Sequence, residues 1–247
     1  MCGVRYAAVS EKGRRETNED AYLALQFGDR YVFAIADGLG GCRAGEVASG
    51  HAISILDQAM RNGKGPSRIT LENAVMDAHR VIISEGDLNP AFYGMATTLV
   101  AMVVDADCRC TVINVGDSRA YHIDGWVRHT RDHSYVQSLL DAGEITPTDA
   151  WRHPLGNIIT QAIGDRDLPI IPDIYESEVA GMYLVLSSDG MHDFVPEERI
   201  AGIVRANGDD VEKSCTALIA ESLAEGSEDN ITVIVARVWE RNEESGM

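Results

Sequence analysis

The sequence predicts an α+β sandwich, in which antiparallel sheets are covered by pairs of helices. Strand-like runs rich in β-branched and aromatic residues come in groups, and helical stretches come two at a time. The dipeptide Asp124-Gly125 separates two strand-like runs, where it favours the left-handed backbone of a tight hairpin and hence antiparallel pairing. The regular strand–helix–strand alternation of a doubly wound parallel fold is missing.

Residues 4–9, 22–25 and 31–36 read as the opening strands. Helical periodicity follows over 46–60 and 71–82; in the second stretch Leu71, Ala74, Val75, Ala78, Val81 and Ile82 recur three and four apart and form one apolar stripe. Between them Asn62-Gly63-Lys64-Gly65-Pro66 joins a helix-ending signal to a breaker, so the two helices fold back on each other. Strand signals return over 97–104, 110–115, 119–123 and 126–129. From His133 to Asp173 the pattern is least regular, and a surface excursion that could serve as a flap over a site is expected there. A strand over 182–186 precedes a second helix pair. Pro196 with Glu197 and Glu198 opens the first helix, and Asp209 with Glu212 has capping-box spacing ahead of Val211, Leu218, Ile219 and Leu223. Residues 231–238 form the last strand. With no repeat, low-complexity tract or linker, residues 1–247 read as one domain.

A folded chain of 247 residues, 45% of them hydrophobic, removes roughly 75% of its unfolded surface from water, enough for a core without staples. The 39 acidic residues against 21 basic ones give a formal charge of −18, which repels phosphate backbones and anionic headgroups. Nucleic acid and membrane are therefore excluded as expected partners. The first residues lack an apolar core of signal-peptide length, and no segment approaches the ~18 apolar residues of a membrane span. A cytoplasmic monomer is expected. Cys2, Cys42, Cys108, Cys110 and Cys215 are odd in number and contain no C-x-x-C pair. Neither a disulfide framework nor a zinc site is indicated, and Cys108 and Cys110 fall on one face of a strand-like stretch, so reduced, buried thiols are expected.

The chemistry lies in aspartates at strand boundaries. In Phe33-Ala34-Ile35-Ala36-Asp37-Gly38-Leu39-Gly40-Gly41 a buried strand runs into a glycine-rich turn. A dinucleotide fingerprint would need glycine where Arg43 stands and an acidic residue after the turn instead of before it. Asp37 beside the Gly38 carbonyl instead offers two hard oxygen donors, which suit magnesium or manganese. Asp117, Asp189 and Asp229 occupy similar boundaries, and Asp20 follows Asn18-Glu19 with Arg15 five residues earlier. One aspartate in a turn is ordinarily a turn residue. Five at strand edges can be gathered by neighbouring strands, and like-charged carboxylates then need a cation to stay ionised.

These residues resemble, in order and across nearly the whole chain, the metal-dependent type 2C (PPM) serine/threonine protein phosphatases of the compact bacterial or archaeal kind. The motifs are Arg15-x-x-Asn18-Glu19-Asp20, Asp37-Gly38-x-Gly40-Gly41, Met95-Ala96-Thr97-Thr98, Gly116-Asp117-Ser118-Arg119, Asp132-His133-Ser134, Ser188-Asp189-Gly190 and Asp229-Asn230-x-Thr232. The resemblance implies a four-layer α-β-β-α sandwich of two antiparallel sheets flanked by helix pairs. It also implies two Mn2+ or Mg2+ ions, with a third, weaker site. Asp37 would bridge the two ions, Gly38 would add its carbonyl to one, and Asp189 and Asp229 would hold the other. Glu19 and Asp20 would act largely through bound waters, Arg15 would grip the substrate phosphate, and Asp117 with Asp189 would serve the third ion. Water activated between the ions would attack phosphorus in line. The implied partners are phosphoserine and phosphothreonine proteins, with a serine/threonine kinase in opposition.

Some positions depart from the family pattern. Leu39 stands where eukaryotic members carry a histidine proposed as general acid, which leaves His133, His153 and His192 to be weighed as proton donors against structural roles. Gly156 replaces a basic residue common in microbial members, and Met182 follows Gly181 where an aspartate is common. Ser118 lacks the second glycine of a nucleophile elbow, and Asp105 and Asp107 lack the rest of a calcium loop. The expected activity is hydrolysis of phosphoserine and phosphothreonine monoesters. The alternatives are a phosphatase-like regulatory binding module with little turnover, marked by lost metal ligands, and a nucleotide-binding oxidoreductase built on the glycine-rich turn.

Overall fold

The computed structural model describes all residues except 40–43, 63–64, 125–126, 152, 169 and 241–247. The chain opens with β1 (Cys2–Glu11), β2 (Asp20–Phe27) and β3 (Arg30–Asp37), followed by the helix pair α1 (Gly45–Asn62) and α2 (Arg68–Leu88). Then come β4 (Leu99–Val104), β5 (Arg109–Val115), β6 (Arg119–Ile123), β7 (Val127–His129), α3 (Tyr135–Asp141), α4 (Pro147–Ala150), β8 (Asp173–Glu178), β9 (Tyr183–Ser187) and α5 (Asp189–His192). The helix pair α6 (Glu197–Asn207) and α7 (Val211–Ala224) leads to β10 (Ile231–Glu240).

The strands form two five-stranded sheets, ordered β1-β10-β9-β6-β7 and β2-β3-β4-β5-β8, and every pairing between them is antiparallel. Each layer has a legible cause. Along β3, Val32, Ala34 and Ala36 pack with Leu56, Met60, Leu71 and Ile82 of α1 and α2. Their neighbours Tyr31, Phe33 and Ile35 belong to the core between the sheets, with Leu184, Leu186, Ile234 and Ala236. Both faces of β3 are thus buried, which is why its sequence is a continuous apolar run rather than an alternating one. A third apolar layer joins Tyr121, Val185, Val233 and Val235 to Ile200, Val204, Val211 and Leu218 of α6 and α7. The result is the α+β sandwich with helix pairs outside two antiparallel sheets.

The segment from 133 to 173 carries α3 and α4, and its backbone bridges Ser134 to Ile159 and Ile163 to Thr97. β6 and β7 pair as the expected hairpin with Ile123 opposite Val127, while Gly125 and Trp126 lie outside the described residues. So do Gly63 and Lys64 of the turn between α1 and α2, and Gly40, Gly41, Cys42 and Arg43. Among the described residues no helix is long and apolar enough to cross a membrane.

Three expectations are corrected. Cys2 and Cys108 form a disulfide; only Cys110 and Cys215 among the described cysteines are the buried thiols expected. Cys108 lies in the turn before β5 at φ +56, and the Cys2 N–H donates to Ala106 O at 2.8 Å, so backbone pairing brings together sulfurs far apart in sequence. The cap of α7 is Asp210, whose side chain accepts from Lys213 N, not Asp209. Starting the helix there turns Val211 inward, and Asp209 instead faces Arg237 at 3.8 Å. Finally, Asp173–Glu178 is a strand although its sequence carries no β-rich run.

Candidate metal centre

The carboxylates gather because antiparallel pairing stacks strand starts on strand ends. Asp20 opens β2 directly opposite Asp37, the last residue of β3. Asp117 lies in the turn from β5 to β6, Asp189 opens α5 just after β9, and Asp229 sits two residues before β10. Two glycines allow the close approach. A Cβ on Gly38 would meet Gly45 O at 2.3 Å, and one on Gly190 would meet Asn230 O at 2.0 Å. Neither position can carry a side chain without moving α1 away from Asp37 or α5 away from Asp229.

Backbone and hydroxyl contacts hold the turns in place. The Asp37 N–H donates to Thr98 Oγ1 at 3.0 Å. Asp37 O accepts from Thr97 Oγ1 at 2.8 Å and from Thr98 N at 2.9 Å. Thr98 Oγ1 also meets Ser118 Oγ at 2.7 Å, which joins the Asp37 turn to the Asp117 turn and leaves Ser118 buried in a structural role. Asn230 Oδ1 accepts from Glu19 N at 2.8 Å, and its amide donates to Lys12 O at 2.8 Å and Thr17 O at 3.0 Å. The Arg15–Asp20 segment is thereby fastened to the turn that carries Asp229 into β10.

Burial and mutual repulsion raise the acids. Asp37 is held well above the ordinary range by burial, then by Asp20, Asp189 and Asp117. Burial, then Asp189, Asp132 and Asp193, does the same to Asp117. Asp189 is raised by burial and then by Asp229. Asp20 rises to about 7 through burial, although Thr232 and Ser188 donate to it. Their hydroxyls meet its Oδ2 at 2.7 and 2.8 Å, while its buried Oδ1 has no hydrogen-bond partner. Glu19 is raised by burial and then by Glu46. Against this charge stands Arg15, half exposed, whose guanidinium donates to Asp229 Oδ2 at 2.7 Å.

This donor set fits hard divalent cations. It consists of partly buried carboxylates that are costly to ionise unless positive charge is supplied, and it includes a buried carboxylate oxygen with no hydrogen-bond partner. Among the described residues no three of these side chains converge on one point at ligand distance. The sequence reading missed Asp193, which burial and then Asp189 raise to about 7, and Glu46. Asp193 stands four residues beyond Asp189, where its N–H donates to Asp189 O at 3.0 Å. That helical spacing places the two on one face and was the available signal.

The histidines take structural positions. His192 Nδ1 meets Ser187 Oγ at 2.9 Å in the interior, His153 Nδ1 accepts from Leu155 N at 3.1 Å, and His133 is 3% exposed. A cavity of about 380 Å³ lined by Val112, Ala120, His122, Thr130, Tyr175, Glu176 and Ser177 shares no residue with the carboxylate cluster.

Residues 10–225 match the family model described as Protein phosphatase 2C. The chain is 36% identical over 239 residues to the serine/threonine protein phosphatase PstP of Mycobacterium tuberculosis, an alignment covering 95% of this chain and 45% of the relative. It thus spans about half the length of that relative. It is 34% identical over 246 residues to the serine/threonine phosphatase stp of Listeria innocua, covering 94% of each. Among solved structures, the catalytic domain of PstP in complex with two manganese ions superposes with a TM-score of 0.85 at 34% identity, over 97% of this chain and 100% of that one. Stp1 from Staphylococcus aureus superposes with a TM-score of 0.88 at 30% identity, over 95% of each chain.

Proposed function

Because the chain belongs to the protein phosphatase 2C family, we propose that it is a metal-dependent serine/threonine protein phosphatase that hydrolyses phosphoserine and phosphothreonine monoesters. The observation that carries this reading is the gathering of Asp20, Asp37, Asp117 and Asp189 into a half-buried set whose carboxyls are raised by burial and by neighbouring acids, with Arg15 at its rim. Asp37, the Gly38 carbonyl, Asp189 and Asp229 would hold two Mn2+ or Mg2+ ions. Glu19 and Asp20 act at one remove, through solvent. Asp117, together with Asp189, would serve a third, weaker ion. When bound, such ions supply an activated water for in-line attack and neutralise charge on the phosphoryl oxygens.

Arg15 orients the substrate. Its planar fork can leave Asp229 for two oxygens of a phosphate, a match a point charge does not provide. Ser118 takes no part as a nucleophile, since its hydroxyl is committed to Thr98. With Leu39 in place of a histidine and His133 and His192 both buried, no imidazole is assigned to protonate the leaving oxygen.

The whole chain acts as one catalytic domain, with 133–173 as its flap. We place it in the cytoplasm as a monomer opposing a serine/threonine kinase. The disulfide Cys2–Cys108 is of a kind that reducing compartments disfavour, so alkylation trapping in cells tests that setting, and a fully oxidised pair would argue against it. The activity itself is tested with a phosphothreonine peptide. Turnover should require Mn2+ or Mg2+ and stop on chelation; full activity in excess EDTA would sink the reading. Asp37→Asn separates the enzyme from a regulatory binding module: the enzyme loses turnover, whereas a module without turnover has none to lose and keeps its partner.

A further inference from the structure

We infer that His133 is a positioning residue, the joint through which the Asp117 turn and the two ends of the 133–173 segment hold one geometry; this rests on the reading of Asp117 as a ligand of the third ion. The imidazole is 3% exposed, and both of its nitrogens are engaged. Nδ1 accepts from the Gly116 N–H at 3.2 Å, and Nε2 lies 3.4 Å from Asp173 Oδ2. Since Nδ1 accepts, Nε2 carries the proton and donates to Asp173, so one neutral tautomer serves both contacts. The backbone repeats the connection. The His133 N–H donates to Gly116 O at 2.9 Å, and His133 O accepts from Thr160 N at 2.7 Å.

Residues 133 and 173 are the two ends of the segment, so the imidazole closes it at its base and fastens that base beside Asp117. Asp173 is held in turn by the Tyr175 hydroxyl at 3.2 Å, which accepts from Arg131 N at 3.0 Å. On the other side Gly116 has little room to give. Its φ is +101, and a Cβ there would meet Thr98 Cγ2 at 2.6 Å; Thr98 is the residue whose hydroxyl accepts from the Asp37 N–H. One residue along, the buried pair of Arg119 and Asp132 is doubly hydrogen-bonded at 2.8 and 2.6 Å. A displacement at His133 therefore passes to Asp117 rather than being absorbed by the turn.

Two near-isosteres divide the imidazole's contacts. Asparagine places an acceptor near Nδ1 and cannot reach Asp173, whereas glutamine reaches toward Nε2 and leaves the Gly116 N–H without a partner. By calorimetric titration of the folded protein with Mn2+, His133→Gln should weaken the weakest binding event by about tenfold or more, the usual effect of removing a group that orients a ligand. His133→Asn should weaken it by less than about threefold. Equal behaviour of the two variants overturns the inference. Asp117→Asn keeps the two failures apart. If it leaves the weak event intact, the reading of Asp117 is wrong; if it abolishes the event and His133→Gln does not weaken it, His133 is not the joint. Should the glutamine variant fail to fold, Asp173→Ala, at a partly exposed position, decides by hydrogen exchange. Faster exchange in 116–119 together with 133–173 supports the joint, and faster exchange in 133–173 alone overturns it.

Discussion

Without metal, the protein should lose stability as the pH rises from 5.5 to 8, opposite to the usual behaviour of ion-paired carboxylates. Asp20 and Asp193 are each lifted from 3.8 to about 7, in both cases chiefly by burial. Between those values the folded state holds a proton that the unfolded state has released, so the slope of stability with pH is negative, and Asp37, Asp117 and Asp189, raised in the same direction, add to it. From pH 5.5 to 7 Asp20 contributes about 2 kcal/mol of loss, from ~1.5 pH units at 1.36 kcal/mol apiece; Asp193, exposed to solvent, adds less because water screens it. For a chain of this size a loss of about 2 kcal/mol lowers the thermal midpoint by about 4 °C. General repulsion at a formal charge of −18 acts in the same direction, but at about 1 M salt the screening length falls to ~3 Å and the buried contribution remains. Mn2+ should reverse the trend, because it binds the deprotonated carboxylates and protons compete with it at low pH. At one hundred times its dissociation constant one ion adds about 2.7 kcal/mol. The assay is thermal unfolding in chelator and in Mn2+ across that pH range, with Asp20→Asn as control, since an amide removes the share of the slope that Asp20 contributes. The reasoning is refuted by stability in chelator that rises with pH, or by an asparagine variant that keeps the full slope.

Arg15→Lys should raise KM for a phosphopeptide about tenfold, with a smaller effect on kcat, because the ammonium loses the two-oxygen grip of the guanidinium; steady-state kinetics reads the split. Thr98→Val strands the Asp37 N–H and should cost about 1–3 kcal/mol of stability in urea unfolding. Reducing the Cys2–Cys108 bond, which spans a sequence separation of 106, should lower stability by about 4.8 kcal/mol on the chain-entropy account. That corresponds to a midpoint lower by about 9 °C, and Cys2→Ser should match the reduced protein.

What was legible followed from periodicity and burial. The runs that became β3 and β4 are apolar on both faces because helices cover one side and a sheet the other, and the α2 stripe maps onto Leu71, Ala74, Val75, Ala78 and Ile82, all buried. Val81, counted in that stripe, lies at its exposed margin at 36%. β8 escaped detection because it is an edge strand reading Asp-Ile-Tyr-Glu-Ser-Glu, and charge on an edge is protective against further pairing. The disulfide escaped because a non-glycine residue at φ +56 and a partner brought in by backbone pairing leave no local signature. In the candidate site the aspartates stood out by lying at strand boundaries, and the motif residues Thr97, Thr98 and Asn230 could be quoted. Their work of holding backbone turns together, and the contributions of Glu46 and Asp193, depend on neighbours distant in sequence.

The longest ladder, from Cys2 opposite Glu240 to Glu11 opposite Ile231, has a consequence for biosynthesis. Such far-separated pairing raises the contact order, which slows folding, and during translation β1 must wait, unpaired on that side, until β10 has left the ribosome. Asp229 emerges just ahead of that strand. A nascent chain that has not yet released β10 therefore carries Asp229 on backbone still unpaired with β1, and the proposed ligand set is assembled only at the end of synthesis.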